Sequence, residues 1–210
     1  MTRYNRYQDY VIRNGKFIGE FEAMYQDFDD PWNQTKREAK SNEKKIALDF
    51  IKKKGFKRII EFGCGLGDYT SRLKKTAGSA LGVDISETAI TKARLRHPNT
   101  DFTTGDILDF EIIKNYKPDC IVFAEITWYV LDKLAEFRSY ISSELSGKCI
   151  GFVHLLMTYP EGEQKYGTEY FVDIGGIMRY WKEIDFEVWG ETSLKEYNGG
   201  KRTFCFGKIR

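Results

Sequence analysis

The sequence predicts an α/β fold built on a mostly parallel sheet with helices on both faces. Three observations predict it. An apolar run breaks into alternate glycines at Ile59-Ile60-Glu61-Phe62-Gly63-Cys64-Gly65-Leu66-Gly67-Asp68. From Arg58 onward, strand-like and helix-like segments alternate. Cys120-Ile121-Val122-Phe123-Ala124 is a continuous apolar run, as found in strands buried on both faces of a parallel sheet. Such alternation requires right-handed crossovers and a covered sheet. A ligand then belongs at the carboxyl ends of the strands, where strand order reverses.

Residues 1–35 form an aromatic-rich N-terminal arm, and 36–210 a single domain. In the arm, two short β-prone runs within 10–18 flank Asn14-Gly15, the sequence of a two-residue hairpin turn. A short helix over 21–28 stops before Pro31. A helix over about 36–53 brings Ala39, Ile46, Ala47, Phe50 and Ile51 onto one face. After the glycines a helix starts at Tyr69. A second strand, Ala80-Leu81-Gly82-Val83-Asp84, precedes a helix that Ser86 can cap at Glu87. A short strand starting at Asp101 exits through Gly105, Asp106 and Ile107. The fourth strand is followed by a helix over 129–145, whose Leu131, Leu134, Phe137, Ile141 and Leu145 make a core stripe. A fifth strand covers about 148–156, a helix 174–182, and two last strands 186–194 and 202–209 flank Asn198-Gly199-Gly200.

Glycines on alternate positions let bare backbone approach a ligand, and the following helix offers unpaired N–H groups. The spacing is G-x-G-x-G. Asp68 occupies the place of the third glycine of a dinucleotide fingerprint, where it would repel a pyrophosphate. Glu61 before the glycines suits an ammonium. An amino-acid tail on an adenosine, as in S-adenosylmethionine, has that group and no phosphate. Asp84 lies about 20 residues beyond the first glycine, at the position of a carboxylate that accepts ribose hydroxyls; its alternative role is a helix cap. Ile85 would lie against the adenine, Asp106 would meet its amino group and Ile107 would pack on the ring.

These segments, in this order and spacing, resemble the class I S-adenosylmethionine-dependent methyltransferases over roughly residues 55–157. Asp30-Pro31-Trp32 before the glycines, and Glu125 with Trp128-Tyr129 after the fourth strand, are similar to the nodulation-factor-type N-methyltransferases and related phosphonate and sugar O-methyltransferases. Cys64 and Leu66 stand where such proteins often carry a hydroxyl or small residue. The resemblance implies a Rossmann-like, seven-stranded sheet with an antiparallel last strand and the N-terminal arm as a lid. It implies S-adenosylmethionine as cofactor, held by Trp32, Glu61, Gly63, Cys64, Gly65, Gly67, Asp84, Ile85, Ser86, Gly105, Asp106, Ile107, Ala124 and Glu125. Methyl transfer would go to an oxygen or nitrogen of a small polar acceptor of saccharide, amine or phosphonate type.

A polar, aromatic insertion over 159–170 has the character of a substrate loop. Tyr25, Trp128, Tyr129, Tyr159 and Arg179 are the candidate acceptor contacts; Arg179 could equally be a solvated helix residue. A general base is needed only for a nucleophile that starts protonated, and the candidates are His154 and Glu125. His154, alone in an apolar strand, has a core role as its alternative. Two other functions compete: an NAD(P)-dependent oxidoreductase, disfavoured by Asp68 and Glu61, and a non-catalytic scaffold of the same fold.

Composition narrows the partners. The net charge is +2, with no basic stripe interleaved with aromatics, so nucleic acid is not expected as substrate. No apolar run is long enough to span a bilayer and the N-terminus lacks a signal-peptide core, giving a cytoplasmic expectation without membrane partners. The four cysteines (Cys64, Cys120, Cys149, Cys205) form no C-x-x-C pair, so neither metal nor disulfide is expected. The chain should act as a monomer or homodimer.

Overall fold

The computed structural model describes residues 3–14, 16–38, 40–160, 162–164, 166–193 and 200–210. Among these, the arm holds α1 (Gln8–Val11), the pair β1 (Ile12–Arg13) and β2 (Lys16–Phe17), α2 (Phe21–Asp27) and α3 (Gln34–Glu38). The body runs α4 (Asn42–Lys54), β3 (Arg58–Phe62), α5 (Asp68–Ala77), β4 (Ser79–Asp84), α6 (Glu87–Arg96), β5 (Asp101–Thr104) and α7 (Phe110–Tyr116). It continues with β6 (Cys120–Ala124), α8 (Leu134–Tyr140), β7 (Gly151–Thr158), α9 (Ile174–Tyr180), β8 (Ile184–Ser193) and β9 (Lys201–Ile209).

Seven strands form one sheet in the order β5-β4-β3-β6-β7-β9-β8. The first five are parallel, while β9 enters antiparallel between β7 and β8. Strand order reverses between β3 and β6, which opens a crevice at their carboxyl ends. This is the Rossmann-like, mostly parallel sheet that the sequence implied.

Side-chain alternation in the central strands builds two layers. Ile121, Phe123 and Phe152 face the helices α8 and α9, packing with Phe137 and Trp181. Cys120, Val122 and Val153 face the other way, onto Phe50 and Ile51 of α4 and Leu73 of α5. Burying one such aromatic or aliphatic side chain contributes about 1.5–3 kcal/mol.

Four segments depart from expectation. Tyr10 and Val11 belong to a helical turn, so the hairpin is shorter than its sequence suggested. Asn14 does take the left-handed conformation of such a turn (φ +52°), while Gly15 lies outside the described residues. The helix expected over 36–53 is two helices, the first ending at Glu38 and the second capped by Ser41, whose Oγ accepts from Lys44 N at 3.3 Å. Ala47, Phe50 and Ile51 are buried as expected, Ile46 is exposed, and Ala39 lies outside the described residues.

The helix expected over 129–145 begins only at Leu134. Before it come two 3₁₀ turns, Thr127–Tyr129 and Leu131–Lys133, and after it a π-helical turn, Ile141–Leu145. Trp128 donates from Nε1 to the Met157 carbonyl at 2.7 Å, a tie to β7 that holds this stretch outside the α-helix. All five residues of the predicted stripe are buried. The fifth strand starts at Gly151 and not at 148, since Cys149 has φ +56°. The predicted turn at 198–199 lies outside the described residues.

Candidate active site

β3 delivers the chain into the glycine loop, where Gly63, Gly65 and Gly67 all have positive φ. Space as well as conformation demands glycine. A Cβ on Gly63 would stand 2.0 Å from Ile126 Cγ2, and one on Gly65 2.5 Å from Gln34 Oε1. Asp84 at the end of β4 ties the loop down: Oδ2 accepts from Gly65 N at 2.8 Å and Oδ1 from Ser86 N at 3.0 Å. Burial pushes its carboxyl up from the ordinary value, opposed by those two N–H groups. Beneath the loop, buried Glu61 accepts from Thr70 Oγ1 at 2.5 Å.

A cleft of about 660 Å³ opens over the carboxyl ends of β3, β4, β5, β6 and β7. Asp84, Ile85, Gly105, Asp106 and Ile107 face it at the β4–β5 end. Ile85 is an exposed apolar side chain, and Asp106 pairs with Lys133. Glu61, Gly63, Ala124 and Glu125 line the middle. At the far end stand Trp32, Trp128, Tyr129 and Tyr159. Glu125 has φ +66° without being glycine, and its side chain is 43% exposed. Backbone held in that region costs of order 1–3 kcal/mol and concentrates at functional sites. Burial, then the charge of Glu125, pushes the Tyr129 phenol far up.

Several expectations are corrected. His154 is fully buried and turned away from the cleft. Its Nε2 is 2.6 Å from Thr127 Oγ1, and its ring packs on Phe123, Phe152 and Trp181. Burial alone lowers its pKa to about 3. His154, Phe152 and Leu156 share one face of β7, and that face meets the helical layer of α9. Arg179 lines a separate pocket on α9 with Arg138 and Lys182. Tyr25 lines the cleft as expected, buried over the glycine loop, where a Cβ on Gly65 would be 2.7 Å from its hydroxyl.

Cys64 points into a small cluster with Ile90, Ala93 and Phe102. Gly65 and Gly67 shape the loop without lining the cleft. Ser86 caps α6 by accepting from Ala89 N at 3.0 Å and donates to Glu22 at 2.7 Å. Asp68 faces His97 and Thr35, at 3.3 and 3.4 Å, and does not line the cleft.

The arm closes over this cleft. Glu22 of α2 accepts from Ser86 Oγ, Thr88 N and Thr88 Oγ1 at the start of α6. Lys92 donates to the Tyr25 and Phe28 carbonyls. Gln34 Oε1 takes the Leu66 N–H of the glycine loop at 2.9 Å. Gln34, Arg37, Lys44 and Arg202 all line the cleft, yet none belongs to a recognisable motif. Arg202 reaches it from β9, paired with Met157 of β7, and sits between buried Glu43 (2.5 Å) and Glu125 (3.9 Å).

The model of the family described as nodulation protein S (NodS) matches residues 22–145. The chain belongs to the NodS family. With it goes the class I S-adenosylmethionine-dependent methyltransferase fold. The chain is similar to the crystal structure of N-methyltransferase NodS from Bradyrhizobium japonicum WM9 in complex with S-adenosyl-L-homocysteine. The TM-score is 0.63 at 16% identity, over 87% of this chain and 93% of that one, a likeness of fold.

Protein 235L of Invertebrate iridescent virus 6, a methyltransferase by name, is 26% identical over 77% of this chain and 65% of its own length. The dTDP-3-amino-3,4,6-trideoxy-alpha-D-glucopyranose N,N-dimethyltransferase of Streptomyces venezuelae is 26% identical over 32% of this chain and 29% of its own. The chain thus spans less than two thirds of the length of these two relatives. Among the described residues of this NodS-family chain, no helix is long and apolar enough to cross a membrane.

Proposed function

We propose that this chain transfers a methyl group from S-adenosylmethionine to the nitrogen of a small polar amine, an amino-saccharide included. The observation that carries it is the pair of buried carboxylates, Glu61 and Asp84, on either side of the bare Gly63 backbone in one cleft. Two such acids beside bare backbone favour an ammonium and hydroxyls and oppose a diphosphate. The residues fit the donor. Glu61 would hold the ammonium of its amino-acid tail, with Arg37 or Lys44 for the carboxylate. Asp84 would take ribose hydroxyls, Asp106 the adenine amino group, and Ile85 and Ile107 the ring faces.

When bound, the donor supplies a sulfonium-activated methyl group, and the chain's own task is alignment and exclusion of water. Trp32 and Tyr129, with the arm behind them, screen the mouth. A nitrogen nucleophile suits the side chains present. His154 is buried and does not line the cleft, and the Tyr129 phenol stays protonated at neutral pH. Glu125 remains as the carboxylate that would orient an amine and take up its proton. NodS from Bradyrhizobium is named an N-methyltransferase and the Streptomyces relative acts on an amino sugar, both compatible with this acceptor class.

Calorimetric titration with S-adenosylmethionine, S-adenosylhomocysteine and NAD tests the donor; the first two should bind and NAD should not. Radiolabelled methyl incorporation from a pool of amines, neutral glycans and phosphonates tests the acceptor. Labelling confined to hydroxyl or phosphonate compounds would overturn the amine assignment.

A further inference from the structure

The far end of the cleft is walled by aromatic rings from parts of the chain remote in sequence. Tyr7 and Trp32 of the arm meet edge to face at 4.8 Å. Tyr129, from the turn after β6, lies 5.6 Å from Trp32, 5.5 Å from Phe21 and 6.4 Å from Phe17, where it is stacked. All five line the same cleft as Glu125. Rings alone would be a lid. Rings that share a cleft with a carboxylate whose charge acts on one of them, Tyr129, are an environment for a cation that is too bulky and apolar to be well hydrated.

The geometry points to a subsite for a methylated ammonium group, so that the acceptor nitrogen is held there in alkylated form and receives more than one methyl. This rests on the methyltransferase reading above and adds the state of the nitrogen. A quaternary or tertiary ammonium spreads its charge over methyl groups that contact ring faces, which is the use to which aromatic cages are put. Each transfer forms one N–C bond as the donor's S–CH₃ bond breaks and leaves an alkylammonium. That ion gives up a proton, by way of Glu125, before its nitrogen can react again.

The cations lining the cleft do not cancel this field. Arg202 is held closely by Glu43 at 2.5 Å and stands farther from Glu125, at 3.9 Å, while Lys133 is matched by Asp106. Lys44 lies 4.8 Å over the Tyr69 ring, at the start of α5. Arg37, which has a partner of its own, also acts on Tyr129 and works against a cation there. The carboxylate of a bound donor or product would offset it, so the subsite should be complete only with that tail in place.

The test uses the full chain saturated with S-adenosylhomocysteine, titrated calorimetrically with choline and with its uncharged carbon isostere 3,3-dimethyl-1-butanol. Choline should bind at least about tenfold more tightly. Tyr129→Leu should abolish the difference while S-adenosylhomocysteine affinity is kept, and Tyr129→Phe, which retains the ring, should preserve it. Glu125→Gln should weaken choline and leave the isostere unchanged. Equal affinity for both probes, or no choline binding to the saturated protein, would overturn the subsite. Choline binding only to the free protein would also overturn it, because the rings would then serve the donor's sulfonium. Failure of S-adenosylhomocysteine itself to bind would instead sink the methyltransferase reading, and this inference with it.

Discussion

Asp84 shows how one residue can fix a loop and shape a ligand site at once. Its two oxygens take backbone N–H groups from Gly65 and Ser86, and the carboxylate still faces the cleft. Hydrogen bonds to charged groups contribute about 1.5–3 kcal/mol each. Asp84→Ala should therefore weaken S-adenosylhomocysteine binding by roughly 10–100-fold, measured calorimetrically; near-wild-type affinity would remove the ribose assignment. His154 carries a different prediction. Its native pKa is near 3 against 6.5 for the free side chain. The unfolded chain thus binds a proton below about pH 6.5 that the native state refuses. Stability is fully present above that pH and falls as pH drops towards 3, by about 2–3 kcal/mol at pH 4.5. Urea unfolding across that range should show this slope in the wild type and lose it in His154→Leu. The acids at strand ends were legible in the sequence because strand, acid and glycine follow one another locally. Of the two readings of His154, the core one holds; the sequence leaves both open because alternation gives the parity of a strand and not which face meets helices. Arg202 and Gln34 left no local sign, since each reaches the cleft only through tertiary pairing.

At the level of elements, the glycine loop and the arm are separately testable. Gly63→Ala forces a side chain into the left-handed region and onto Ile126. It should cost about 1–3 kcal/mol in thermal unfolding, and trimming the neighbour in Gly63→Ala/Ile126→Ala should recover the steric part of that loss. Glu22 is the arm's main polar tie to α6. With Glu22→Ala, hydrogen exchange in Gln8–Val11 and Phe21–Asp27 should rise by about tenfold or more, while β3 to β7 keep their protection. Equal protection of the arm in both proteins would mean that its aromatic packing and the Lys92 and Gln34 ties hold it without Glu22. The element pattern itself was largely readable, from periodicity and caps. The two misread helices have specific causes. Ser41 starts a new helix within one stripe by capping it, and the Trp128 tie to Met157 delays the other. A cap within a helical stripe can be sought in a sequence; a contact from another strand cannot.

For the molecule as a whole, arm and sheet enclose one cleft, so a ligand there should stabilise all of it together. At about 100 times its Kd, S-adenosylhomocysteine should add roughly 2.7 kcal/mol. For a chain of this size that raises Tm by about 5–10 °C, whereas NAD at the same concentration should leave it unchanged. The insertion of β9 between β7 and β8 has a consequence for biosynthesis. During vectorial translation β8 emerges before the strand that joins it to the sheet. Until Lys201–Ile209 has left the ribosome, β7 keeps a bare hydrogen-bonding edge and β8 waits without a neighbour. Nascent chains stalled just short of that segment should be those most readily captured by a chaperone.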